Sequence, residues 1–173
     1  VITRKVTGMG ALMGSGSEFS GDAIADLERQ DWVTKVGKFQ TSEYSINANV
    51  GLGSSGRSMS TQFFFESIPD EFIDVNSSDW RFNPQRPEVP VIVSKDYLSL
   101  YNFGFAAAQG MPKLSESMMS MIPLQFTLTG NGMSDVLPGR IVGFSSRLNT
   151  ILVPEEFMQW SNQRYGNGGT SAP

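Results

Sequence analysis

Tyr44, Ile46, Ala48 and Val50 alternate with polar residues, the period-2 pattern of a half-buried strand. Residues 51–58 read as a turn and 59–66 as a second strand, so the two predict an antiparallel hairpin. The segment 68–75 continues as a turn or short extended piece. A polar stretch, 76–88, carries Pro84 and Pro87 and reads as a connector. An apolar run at 89–93 is a third strand. Ser94 then caps a helix with Tyr97, Leu98, Tyr101 and Phe105 at helical spacing. Residues 114–121 suit a short helix or an irregular stretch. Segments 124–129 and 136–144 flank Gly130-Asn131-Gly132, and Asn-Gly supplies the positive-φ residues of a tight hairpin turn.

Earlier in the chain, Ser20-Gly21-Asp22 opens a helix with Ile24 and Leu27 as its apolar stripe and Asp31 closing it. Val33 and Val36 begin an extended region. Gly8, Gly10, Gly14 and Gly16 make 1–19 a flexible lead-in. At the other end, a strand at 140–144 leads through a polar connector to a strand at 150–153. Pro154 takes the first helical position, Glu155 and Glu156 complement the helix N-terminus, and Gly166 is placed to stop the helix. Phe157, Trp160 and Ser161 share one face. The expected packing is back onto the preceding strand, with Trp160→Ala costing about 3–5 kcal/mol. Helices and strands mix without βαβ regularity, so the fold class is α+β.

Three segments carry a resemblance. They are F-F-F-E-S-I-P-D-E-F-I-D-V (63–75), V-P-V-I-V-S-K-D-Y-L-S-L-Y-N-F-G-F-A (89–106) and G-R-I-V-G-F-S-S-R-L-N-T-I-L-V-P (139–154). Together they resemble the periplasmic core domain of MacB-like and FtsX-like ABC transporter permeases, in the version of Bacteroidetes-like bacteria. The resemblance implies a porter-like α/β half at 20–75, the connector at 76–88, a small β-rich subdomain with flanking helices at 89–166 and a tail at 167–173. It implies that the lead-in follows an excised membrane helix and that the chain is truncated. The implied function is an extracytoplasmic domain on the periplasmic side of the inner membrane, part of an integral membrane permease. It would relay ATPase-driven conformational change to an outer partner or substrate. The implied partners are a cytoplasmic ATPase subunit, a periplasmic protein and, in the full permease, a second copy. No catalytic, cofactor or metal residue is implied. The alternative is a secreted or lipid-anchored module binding glycan or peptide through exposed aromatics.

Composition narrows the chemistry. The 173 residues contain no Cys and no His, which removes disulfides, thiolate sites, Ser-His-Asp triads and the commonest metal ligand. Twelve Phe supply ample apolar volume for a core. The net charge is −4 and no Lys/Arg cluster stands out, which argues against nucleic acid. No apolar run approaches the ~20 residues of a membrane span.

Few motifs survive their ordinary reading. Gly51-Leu52-Gly53-Ser54-Ser55-Gly56 matches a dinucleotide fingerprint, but a strand follows it where a helix is needed. Asp70, Glu71, Asp74 and Asp79 form the densest acid group; a solvated turn without metal is the expectation. Ser94-Lys95 is a cap and its neighbour, not a dyad. Asn76-Ser77-Ser78 fits a glycosylation sequon, without meaning in a bacterial protein. Met118, Met119 and Met121, with Met111 and Met133, serve either as core filling or as a soft docking face. The expected chain is a non-enzyme without nucleotide affinity.

Overall fold

A computed structural model describes residues 20–51 and 58–166. The glycines of the lead-in and the turn 52–57 lie outside the described residues. The chain forms two compact units, Val1–Gly37 and Lys38–Pro173. In the first, helix α1 (Gly21–Glu28) begins at Ser20, whose Oγ accepts from Ala23 N at 3.3 Å. It ends at Glu28, three residues before Asp31, and buries none of its residues.

The second unit is an α+β fold built on one eight-stranded mixed sheet. Its strands are β1 (Gln40–Thr41), β2 (Ser45–Gly51), β3 (Ser58–Phe63), β4 (Glu66–Ser67), β5 (Val89–Ser94), β6 (Leu124–Gly130), β7 (Met133–Ser145) and β8 (Ile151–Leu152). The order across the sheet is β1-β4-β8-β5-β7-β6-β2-β3. Both predicted hairpins form: β2 pairs with β3, and β6 with β7 through Asn131 (φ 49°) and Gly132 (φ 73°). Strand β2 also pairs with β6, so the sheet runs unbroken across the connector 76–88.

The sheet is curled into a half-barrel, and connectivity dictates this. Strands β3 and β4 stand six strand steps apart, yet only Phe64 and Phe65 link them. A flat sheet would separate them by about 29 Å at ~4.8 Å per strand. The link spans at most about 11 Å. The opposite strand makes the same jump between β1 and β2. Thus 40–51 and 58–67 form one long ribbon that arches from flank to flank. At the bend, residues 42–45 face only Phe64 and Phe65, between the pairs Thr41↔Glu66 and Ile46↔Phe63. Ser42 secures the bend: its Oγ accepts from Phe65 N at 3.0 Å, and its N donates to Phe65 O at 2.9 Å.

Strand β5 is buried along its whole length, as its unbroken apolar run requires. Val89, Val91 and Val93 belong to the main core with Ile46, Phe65, Phe126, Ile141 and Phe144. Ile92 belongs to a smaller core with Ile68, Leu148 and Leu152. A bulge in β7 serves both: Val91 pairs with Ile141 and Ile92 with Gly143, leaving Val142 as the extra residue. Ile141 and Phe144 consequently share the main core although three apart, while Val142 packs against the smaller one.

The last helix, α5 (Glu155–Tyr165), touches both β4 and β6 and so fills the concave side of the curl. Pro154 is its N-cap, one place before the predicted position. Gly166 ends it in an extended conformation (φ −61°, ψ 144°), not a left-handed one. Phe157, Met158, Ser161 and Tyr165 are its buried stripe, whereas Trp160 sits half-buried at the flank. Phe157 stacks edge-on against Phe65 and Phe82, with centroids 5.8 and 5.0 Å away. Asn162 ties the helix to the ribbon: Nδ2 donates to Thr41 O at 3.2 Å and Oδ1 accepts from Glu43 N at 3.0 Å.

The acid group departs from the solvated turn expected of it at one residue. Asp70 and Glu71 are exposed in a short turn, but Asp74 is half-buried and latched to the end of β7. It accepts from Ser145 Oγ at 2.5 Å, Ser146 N at 2.9 Å and Ser146 Oγ at 2.8 Å. Ser145 Oγ in turn accepts from Arg147 N and Leu148 N, shaping the loop into β8. Arg140 fastens the connector at both ends, to Asp79 and Glu88, each at 3.1 Å.

Burial works against the charge of Asp74, but these hydrogen bonds outweigh it and hold its carboxyl at about 2. An unfolded Asp titrates near ~3.9. The folded pKa is the lower, so the stabilisation is complete above about pH 4 and is lost as pH falls toward about 2. With solvent screening at this half-exposed site it amounts to about 1–2 kcal/mol. Urea melts of Asp74→Asn should show that loss at pH 7 and a much smaller one near pH 2.5; a pH-independent difference would contradict the latch. In the same assay Phe157→Ala should cost about 3–5 kcal/mol and Trp160→Ala roughly half as much. A larger cost at Trp160 would return it to the centre of the core.

Candidate docking surfaces

Between β5 and β6 the chain leaves the sheet as a helical arm. Helix α2 (Lys95–Leu100) starts at Ser94, whose Oγ accepts from Asp96 N at 3.1 Å, as a cap should. It runs through a wider π-type turn, Tyr101–Phe105, into α3 (Ala106–Gln109), which ends at left-handed Gly110 (φ 63°). Helix α4 (Glu116–Ser120) returns, capped by Ser115. Asn102 clamps the two limbs: Nδ2 donates to Leu114 O at 2.8 Å and Oδ1 accepts from Leu114 N at 2.7 Å. Lys95 and Glu116 pair at 3.0 Å nearer the sheet, where solvent makes the bond a weak one.

Only Leu98 and Ala106 of this limb are buried. Leu100 is 69% exposed, Phe103 72%, Met118 50% and Met121 80%, with Tyr97 and Phe105 exposed by more than a third. Lys113 covers the Phe103 ring from 4.5 Å. Of the helically spaced Tyr97, Leu98, Tyr101 and Phe105, only Leu98 is buried. Tyr97 and Phe105 face water and Tyr101 is half-buried, because the outgoing limb is anchored by Leu98 and Ala106 alone, while Leu114 and Met119 anchor the returning one. The methionines divide: Met119 and Met133 pack against the main core, while Met118 and Met121 join the exposed face. Leu100 and Phe103 carried no signal of their own in the sequence, since large apolar residues in a helix normally point inward.

A concavity of about 340 Å³ lies between the connector, β7 and α5, lined by Pro84, Pro87, Asp135, Val136, Trp160 and Arg164 among others. Its polar groups are engaged with one another. Tyr165 Oη donates to Asp135 Oδ2 at 2.8 Å, and Arg164 reaches the same oxygen at 3.3 Å. The Tyr165 hydroxyl, then Arg164, hold the Asp135 carboxyl below its usual range. Burial, then the Asp135 bond, push the Tyr165 phenol up. Trp160 packs on Phe82 at 5.2 Å and on Phe157 at 5.9 Å. No group of three or more acidic residues suited to hold a metal occurs among the described residues. Strand β3, not a helix, follows the glycine motif at 51–56, so the dinucleotide arrangement is missing there.

Among the described residues no helix is long and apolar enough to cross a membrane. No curated protein and no solved structure matches the chain. A family model does, over residues 1–173, and by that match the chain belongs to the PCD-like family, described as a probable transporter periplasmic core domain.

Proposed function

We propose that this chain, a probable transporter periplasmic core domain by family, is the extracytoplasmic domain of an ABC permease of the MacB/FtsX class. In this reading the domain sits between membrane helices of an inner-membrane permease. A cytoplasmic ATPase drives it, and it passes conformational change to a periplasmic partner or substrate. It performs no chemistry and binds no nucleotide or metal.

The observation that carries the relay role is the apolar face of the arm. Leu100, Phe103, Met118 and Met121 stand out from a hairpin whose two limbs are clamped by Asn102. An arm with unburied large apolar side chains suits contact with another protein. Methionine adds the adaptability such a face needs. The glycan or peptide alternative would use the groove beside α5, but Trp160, Arg164 and Tyr165 are already engaged there with Phe82, Phe157 and Asp135.

Leu100→Ser with Phe103→Ser tests the reading in the full-length protein. Stability should change by less than about 0.5 kcal/mol, as at exposed positions. ATP hydrolysis should persist while transport or partner response falls at least about tenfold, a coupling loss of ~1.4 kcal/mol or more. Unchanged coupling would remove the arm from the mechanism.

A further inference from the structure

The two ends of the sheet are finished differently. β1 is two residues long, too short to template another strand. β3 is six residues long and ends the sheet order, with β2 as its one strand neighbour among the described residues. Its register with β2 runs without a bulge from Gly51↔Ser58 to Ile46↔Phe63. The sequence S-M-S-T-Q-F holds no Lys, Arg, Asp, Glu or Pro. Natural edge strands are usually guarded by shortness, charge, proline or a bulge, and β3 has none of these.

We propose that β3 is a strand-addition site and that its occupant is β3 of a second copy of this chain. The two strands would lie antiparallel about a two-fold axis, joining two half-barrels through their edges. Charge favours this occupant. Antiparallel self-pairing sets the strand against its own reversed sequence, so a charge in β3 would lie along the same seam as its two-fold copy; a strand with none pairs with itself without repulsion. Backbone donors and acceptors on an unpaired edge are self-complementary when two such edges meet antiparallel. The inference stands on the sheet edge and on residue types alone, and it holds or fails independently of the proposed transport role.

Sedimentation of the 173-residue chain from about 1 to 200 μM tests it, as an interface of one strand pair gives modest affinity. The wild type should pass from monomer to dimer. Ser60→Lys with Gln62→Lys, checked for folding by circular dichroism, should weaken the dimer at least about tenfold by like-charge opposition. The chain has no cysteine, so single cysteines at 59 to 62 give a second readout that does not depend on the lysine variant folding. At least one should form a disulfide-linked dimer much faster than exposed Gln85→Cys. A wild type that stays monomeric over the whole range overturns the proposal, as would occupation of the edge by another segment of the same chain, which gives that result. A dimer indifferent to the lysines, or cross-linking no faster than at Gln85→Cys, also overturns it.

Discussion

Phe64 and Phe65 carry the chain from one flank of the sheet to the other, and that two-residue span obliges the sheet to curl. A flat sheet would put β3 and β4 nearly three times farther apart than the link can reach. Curling creates a concave side, and Phe65 lies on it, fully buried, while Phe64 remains 56% exposed. Phe65 meets Phe63, Phe126 and Phe157 with centroids 5.1 to 5.8 Å apart, all near edge-to-face. The link that forces the bend also puts Phe65 at the centre of the aromatic packing that the bend makes possible.

The helices follow from this shape. A curled sheet needs something large on its inner side, and α5 supplies Phe157, Met158 and Tyr165, with Asn162 bonded to the ribbon at the bend. The outer side of β5 is covered by 68–80 and by the loop that Asp74 holds in place. With both faces of β5 occupied, the arm between β5 and β6 covers the sheet only where α4 meets β7 and Leu114 and Met119 reach the core. Leu100, Phe103, Met118 and Met121 stay at the surface, and they are the residues most suited to a partner.

Local signals in the sequence were dependable where the physics is local. Period-2 alternation placed β2, the Asn131-Gly132 pair placed the β6–β7 turn, and Ser94 and Ser20 mark helix starts through their own side chains. Contacts between distant residues left no such trace. Asp74 bonds to Ser145 and Ser146 from about seventy positions away, so it read as one more solvated acid. The rotation of α5 was missed by one position: Phe157 and Ser161 do face inward, but Met158 and Tyr165 complete the stripe in place of Trp160. The exposed face of the arm was hidden for a different reason, since periodicity reports that a helix has an apolar side without reporting whether anything covers it.

The short link can be tested at its two residues, which are chemically identical and differ only in where the curl puts them. Equilibrium urea melts of Phe64→Ala and Phe65→Ala on the same chain make the comparison. A curled sheet closed over Phe65 predicts a loss of about 3–5 kcal/mol at Phe65, and below about 1 kcal/mol at Phe64. Equal losses at the two positions, or a larger one at Phe64, would contradict it.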